Sequence, residues 1–189
     1  MKKIYFATGN PGKVEEMQPL FQERGFELEQ VEVDVDEIDA LDVEEVAEQK
    51  AIDSFEDAGV EGMLIVEDTG FYVETLEGFP GAKAAFFDMT VGASGILDLM
   101  QGEEDRPAYF KTAIAVCDGD DVRVFTGRVD GELALEKRGE SHPHLPYDSY
   151  FIPDHGPGKS FAEDPELKRQ NSQRKQATLK LLDWLENQG

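Results

Sequence analysis

The chain has 189 residues, enough for one large domain with a buried core, and 40% are apolar, including twelve Phe, which excludes a disordered chain. Against 18 basic residues stand 41 acidic ones, and the net charge of −23 argues against nucleic acid or an anionic membrane surface as a partner. No apolar run reaches the length of a membrane span, Met1-Lys2-Lys3-Ile4 turns polar too soon for a signal peptide, and the single Cys117 allows no intrachain disulfide. A cytoplasmic protein is the expectation. The acidity runs along the whole chain, so solvation is the simplest reading; adaptation to a salt-rich, halophilic cytoplasm is the sharper one.

In chain order, residues 3–7 read as a buried strand. Thr8-Gly9-Asn10-Pro11-Gly12-Lys13 follows, with Asn10 as N-cap and Pro11 as first residue of a helix that ends near Gly25 and carries Pro19 inside it. Residues 28–33 predict a second strand and 43–57 a second helix. Met63–Val66 predicts a buried strand ending in Glu67-Asp68-Thr69-Gly70. Residues 93–100 predict a short helix, and 108–117 with 122–130 a hairpin turning at Asp118–Asp121. A short strand near 149–152 precedes a long last helix, capped by Asp164 with Pro165 in its first position. Early β-α alternation followed by antiparallel strands predicts an α/β fold with a mixed sheet.

Three segments carry chemistry. The turn 8–13 joins a strand to a helix N-terminus, where unpaired N–H groups and the helix dipole suit a phosphate and Lys13 adds a full charge; a capped turn with a solvated lysine is the alternative. Glu67 and Asp68 suit Mg²⁺, which takes one or two carboxylates together with substrate phosphates, or an attacking water; an acidic turn in an acidic protein is the alternative. Arg174 falls within the apolar face of the last helix and needs either a structural carboxylate or a ligand oxygen. Lys168 lies off that face and reads by default as a solvated lysine. Gly156-Pro157-Gly158-Lys159-Ser160 is not a Walker loop, because Pro153 stands where its first glycine belongs. His142-Pro143-His144 lacks zinc-site spacing, and Cys117 reads as a core residue.

Together, residues 4–13, 36–38, 43–51, 65–81, 107–117, 147–153, 161–163 and 166–177 resemble, in order, the inosine triphosphate pyrophosphatase family of non-canonical purine NTP pyrophosphatases. The resemblance implies one NTP pyrophosphatase domain over 1–189, built as a long central mixed sheet with helices on both sides and two lobes flanking a cleft. It also implies a homodimer, Mg²⁺ as cofactor, and cleavage of ITP, dITP or XTP to the monophosphate and pyrophosphate. Thr8, Asn10 and Lys13 would hold the triphosphate, with Lys50 and Lys168 adding charge there. Glu37 and Asp68 would bind Mg²⁺ or orient the water, with Glu67 beside them. Asp68 and Lys13 would carry the catalysis. Tyr147, Asp148, Gln173 and Arg174 would surround the base and sugar.

Three segments depart from the family pattern. Leu145-Pro146 replaces an aromatic-Gly pair, Gln173 replaces a His in Ser172-Gln173-Arg174, and Ala82-Lys83-Ala84-Ala85 replaces a Ser- and Arg-containing stretch. A pyrophosphatase for another base, or a nucleotide-binding protein without catalysis, are the alternatives these departures leave.

Overall fold

The computed structural model describes residues 2–36 and 38–188. Its strands are β1 (Lys2–Ala7), β2 (Phe26–Val31), β3 (Met63–Val73), β4 (Pro80–Gly81), β5 (Pro107–Cys117), β6 (Val122–Leu133) and β7 (Phe151–Pro153). Its helices are α1 (Pro11–Glu23), α2 (Val43–Ala58), α3 (Ala84–Thr90), α4 (Gly95–Leu99), α5 (Pro165–Gln170) and α6 (Gln173–Glu186). The sheet order is β2-β1-β3-β5-β6-β7, with β4 paired to β3. β1 runs parallel to β2 and β3, and every pairing from β3 onward is antiparallel, so the sheet is mixed as expected.

The alternation of side chains along the strands assigns the helices to faces. On one face, Ile4, Phe6, Ile65, Ile114 and Val116 pack against Met17 and Phe21 of α1 and Leu181 and Leu185 of α6. On the other, Leu64, Val66, Ala113 and Ala115 pack against Val43, Ala47 and Ala51 of α2. A separate aromatic core beyond the first face gathers Phe71, Phe87, Phe110, Tyr147, Phe151 and Phe161. Between those two same-face cores, β3 presents Glu67 and Thr69, and β5 presents Thr112. Of this polar band between two apolar clusters, Thr69 lines the cleft described below.

Four differences from the sequence reading have local causes. β3 does not end at Glu67 but continues to Val73, because β5 pairs with it from Leu64 to Val73. The last helix is two helices. Asn171 leaves the helical conformation, Ser172 is extended, and the Ser172 hydroxyl accepts from the Lys175 N–H at 3.1 Å, capping α6 anew. Helix α3, unread in the sequence, is only seven residues long and lies before the expected 93–100 helix. Lys168 is not solvated: it is buried between carboxylates from two other elements.

Candidate active site

The β1–α1 turn forms as its residues dictate. The Asn10 carboxamide accepts from the Gly12 N–H at 2.9 Å, and the Asn10 N–H donates to the Thr8 hydroxyl at 3.1 Å. Lys13, on the first turn of α1, reaches back over the strand floor. Its ammonium donates to the Glu67 carbonyl at 2.8 Å and sits 2.5 Å from the Glu67 carboxylate.

Glu67 is the centre of the site. Its side chain has no exposure. One carboxylate oxygen accepts from the Arg174 Nε at 3.2 Å and from the Thr69 hydroxyl, which is itself 2.6 Å from the Thr112 hydroxyl. Burial alone would raise the Glu67 carboxyl, but Arg174 and Lys13 together outweigh it and hold it down at about 2. Arg174 in turn is pushed up, the surrounding carboxylates Glu67 and Glu16 overcoming the cost of its burial.

From Arg174 the pairing runs on. Arg174 Nη1 donates to Glu16 Oε2 at 2.5 Å, Glu16 Oε1 lies 3.3 Å from the Lys168 ammonium, and Lys168 donates to Asp148 Oδ2 at 2.8 Å. The result is an alternating chain of charges, Lys13–Glu67–Arg174–Glu16–Lys168–Asp148, drawn from α1, β3, α6, α5 and the 3-10 turn Pro146–Ser149. Three cations and three carboxylates keep the network near neutral, which is what lets it be buried. Burial still pushes the Asp148 carboxyl up, the Lys168 ammonium opposing without cancelling it. Glu16 falls below the ordinary value because Arg174 and Lys168 overcome its desolvation.

A cavity of about 330 Å³ opens onto this chain. Asn10, Lys13 and Asp68 line it, as do Tyr147, Asp148, Lys168, Gln173 and Arg174. Eight of the expected site residues therefore share one cleft. A neighbouring cavity of about 560 Å³ shares Asp148, Lys168 and Arg174 as its wall. Thr8 supports the turn without lining either cavity, Lys50 on α2 lines neither, and Glu67 lies behind Lys13. Glu37 lies outside the described residues. Tyr147 is buried, stacked on Phe71 at 4.9 Å, and its hydroxyl donates to the Ala84 carbonyl at 2.9 Å.

The donor chemistry fits Mg²⁺ on one condition. Glu67 already spends its charge on two cations, whereas Asp68, next along β3 and pointing to the opposite face, lines the cleft. Among the described residues no group of three or more His, Cys, Asp or Glu side chains forms a cage. A hard cation held by one or two carboxylates and completed by phosphate oxygens is the arrangement Mg²⁺ prefers.

Two contributors escaped the sequence reading. Glu16 carries no motif of its own, yet its position three residues after Lys13 puts both on one side of α1, where it pairs with Lys168 and Arg174. Gly127 on β6 looked unremarked in a strand, yet a Cβ there would meet the Gln173 carbonyl at 1.9 Å and the Ala177 nitrogen at 2.9 Å. Its bare backbone is what lets the first turn of α6, carrying Gln173 and Arg174, lie directly on the sheet.

A family model described as Ham1 family matches residues 4–184. The chain belongs to the Ham1 family. Among similar proteins, the dITP/XTP pyrophosphatase of Thermococcus kodakarensis is 42% identical over 184 residues, covering 97% of each chain. That of Methanopyrus kandleri is 38% identical over 187 residues, covering 98% of this chain and 97% of its own. Among solved structures, a Ham1-family protein from Coxiella burnetii superposes with a TM-score of 0.85 at 25% identity, covering 99% of this chain and 100% of its own. The Staphylococcus aureus Ham1 protein gives 0.80 at 27%, with full coverage of both. The mixed α/β architecture expected from the sequence is thus the family's. Among the described residues no helix is long and apolar enough to cross a membrane.

Proposed function

We propose that the chain is a nucleoside triphosphate pyrophosphatase that clears non-canonical purine nucleotides, dITP, ITP and XTP, by releasing pyrophosphate and the monophosphate. One observation carries this reading: a single cleft brings the phosphate-suited turn of Asn10 and Lys13, the carboxylate of Asp68, and the charged group of Asp148, Lys168 and Arg174 together. The relatives named dITP/XTP pyrophosphatase, matched over nearly the whole chain, support the same reaction class.

In this reading water attacks the α-phosphorus, the bond to the bridging oxygen of the β-phosphate breaks, and pyrophosphate leaves. Such a reaction is catalysed by positioning and by neutralising charge on the phosphate oxygens. Lys13 and the N–H groups of the α1 turn seat the triphosphate. Lys13 is parked on Glu67 before substrate arrives, so binding draws the ammonium toward the phosphates while Arg174 keeps Glu67 compensated. Glu67 thus serves as the anchor of two cations. Asp68 orients the water and accepts its proton, and with Glu37 would hold Mg²⁺, which supplies charge neutralisation at the phosphates. Asp148, Gln173 and Arg174 face the nucleoside. The protein acts in the cytoplasm as a homodimer, its 189 residues forming one pyrophosphatase domain.

The test is pyrophosphate release from dITP, ITP, XTP, GTP and ATP with Mg²⁺, at low and at molar KCl. Release from the first three with little from GTP and ATP is the expected result. Leu145 and the buried Gln173 favour a second reading, the same chemistry on a different base, which a different winner in the panel would establish.

A further inference from the structure

A planar base held in the cleft needs a flat partner, and stacking on aromatic or guanidinium planes is the usual means. The aromatic side chains lining this cleft are Phe71, Phe110, Tyr147 and His144. Phe71 stacks on Tyr147 and lies 4.9 Å from Phe110, Phe110 lies 5.0 Å from Phe151, and all three lining rings are buried in the aromatic core. Their faces are spent on one another. The Arg174 guanidinium is held between Glu16 and Glu67 at 3% exposure. Only His144, among the described aromatic residues of the lining, is exposed.

The segment carrying His144 is built to hold a ring in place. It stands between Pro143 and Pro146, which restrict the backbone on both sides. Its N–H lies 3.3 Å from His142 Nδ1, the Leu145 N–H donates to the His142 carbonyl at 2.8 Å, and the Asp148 N–H donates to the Leu145 carbonyl at 3.2 Å. This turn therefore runs straight into the residues that carry Tyr147 and Asp148, and it lines the same cleft as the Asn10–Lys13 turn from a distant part of the sequence. The His142 ring, 5.4 Å away and inclined by 42°, backs it.

We propose that His144 supplies the ring face on which the base of the bound nucleotide stacks, making it a specificity-determining residue of the cleft. The inference rests on the pyrophosphatase reading for its substrate, and on the geometry of the lining for its residue.

The experiment compares wild type, His144→Ala and His144→Phe for kcat and KM in pyrophosphate release from dITP and XTP. Inorganic tripolyphosphate, which has no base, serves as a competing inhibitor. Loss of one stacking platform raises KM by about 5- to 150-fold. The expected result is that rise in His144→Ala with kcat largely kept, recovery in His144→Phe, and an unchanged inhibition constant for tripolyphosphate. An unchanged KM in His144→Ala, no recovery by Phe, or an equal loss of tripolyphosphate affinity overturns the proposal. If wild type releases no pyrophosphate from any purine triphosphate, the pyrophosphatase reading falls separately. Calorimetric binding of IMP then decides: a Kd raised about 5-fold or more in His144→Ala supports stacking, and an equal Kd overturns it.

Discussion

Arg174 Nε donates to Glu67 Oε1 at 3.2 Å, joining a helix residue to a strand residue 107 positions earlier, with neither side chain more than 3% exposed. This contact closes the polar band between the two apolar cores, and it ties α6 to the strand that carries Asp68. Replacing Arg174 by Met leaves Glu67 buried with Lys13 as its remaining cation. Breaking one side of a buried pair costs about 3–5 kcal/mol, and the Glu67→Gln/Arg174→Met double variant should cost less than the two single variants together. Urea unfolding of the four proteins measures this. Strict additivity would mean that the two side chains do not support each other.

The pH dependence follows from the same contact. The Glu67 carboxyl is ordinarily near 4.5 and is held at about 2 in the folded protein. A depressed carboxyl stabilises the fold above its unfolded value and loses that contribution as pH falls through its folded one. The gap is worth about 3 kcal/mol. Glu16 acts in the same sense, and Asp148, pushed up, acts in the opposite one. Wild-type stability should therefore fall between pH 4.5 and 2 more steeply than that of Glu67→Gln, in thermal melts taken at half-unit steps. Parallel profiles would remove Glu67 from the acid response.

Asp68 is on the cleft wall and half-buried, so Asp68→Asn should remove pyrophosphate release by at least about 100-fold, as loss of a general base does. The melting temperature should stay within a few degrees of wild type. Turnover close to wild type would take Asp68 out of the mechanism.

Gly127 seats the first turn of α6. In Gly127→Ala the new Cβ meets backbone atoms, which cannot swing aside as a side chain can. The helix must shift, at a cost of about 1–3 kcal/mol for overpacking. Because Gln173 and Arg174 move with it, KM should rise along with the loss of stability. Denaturation and steady-state kinetics on one preparation test both; a stability loss with unchanged KM would show that α6 gives without disturbing the cleft.

With a net charge of −23, self-repulsion opposes the compact state at low salt. Raising KCl from tens of millimolar to molar should raise the melting temperature as screening shortens the reach of the charges. A flat or falling profile would dismiss the reading of salt adaptation.

The sequence by itself determined the parts whose physics is local. Asn10 caps α1 and Asp164 caps α5 because their side chains bond to N–H groups two and three residues away. The strands and α2 follow from periodicities of two and 3.6, and a turn such as 8–13 is suited to phosphate wherever it occurs. Only the tertiary structure decided what the charges do. Glu67 and Asp68 are neighbouring carboxylates in the sequence, but Lys13 and Arg174 converge on Glu67 while Asp68 lines the cleft. Lys168 reads as a solvated lysine until α5 and α1 bring it within 3.3 Å of Glu16. A break at Asn171–Ser172 made two helices of one, and a missing Cβ at Gly127 set how closely the second lies on the sheet. A buried charge needs its partner in space, and these partners lie up to 158 residues apart in the chain, beyond the reach of any local pattern.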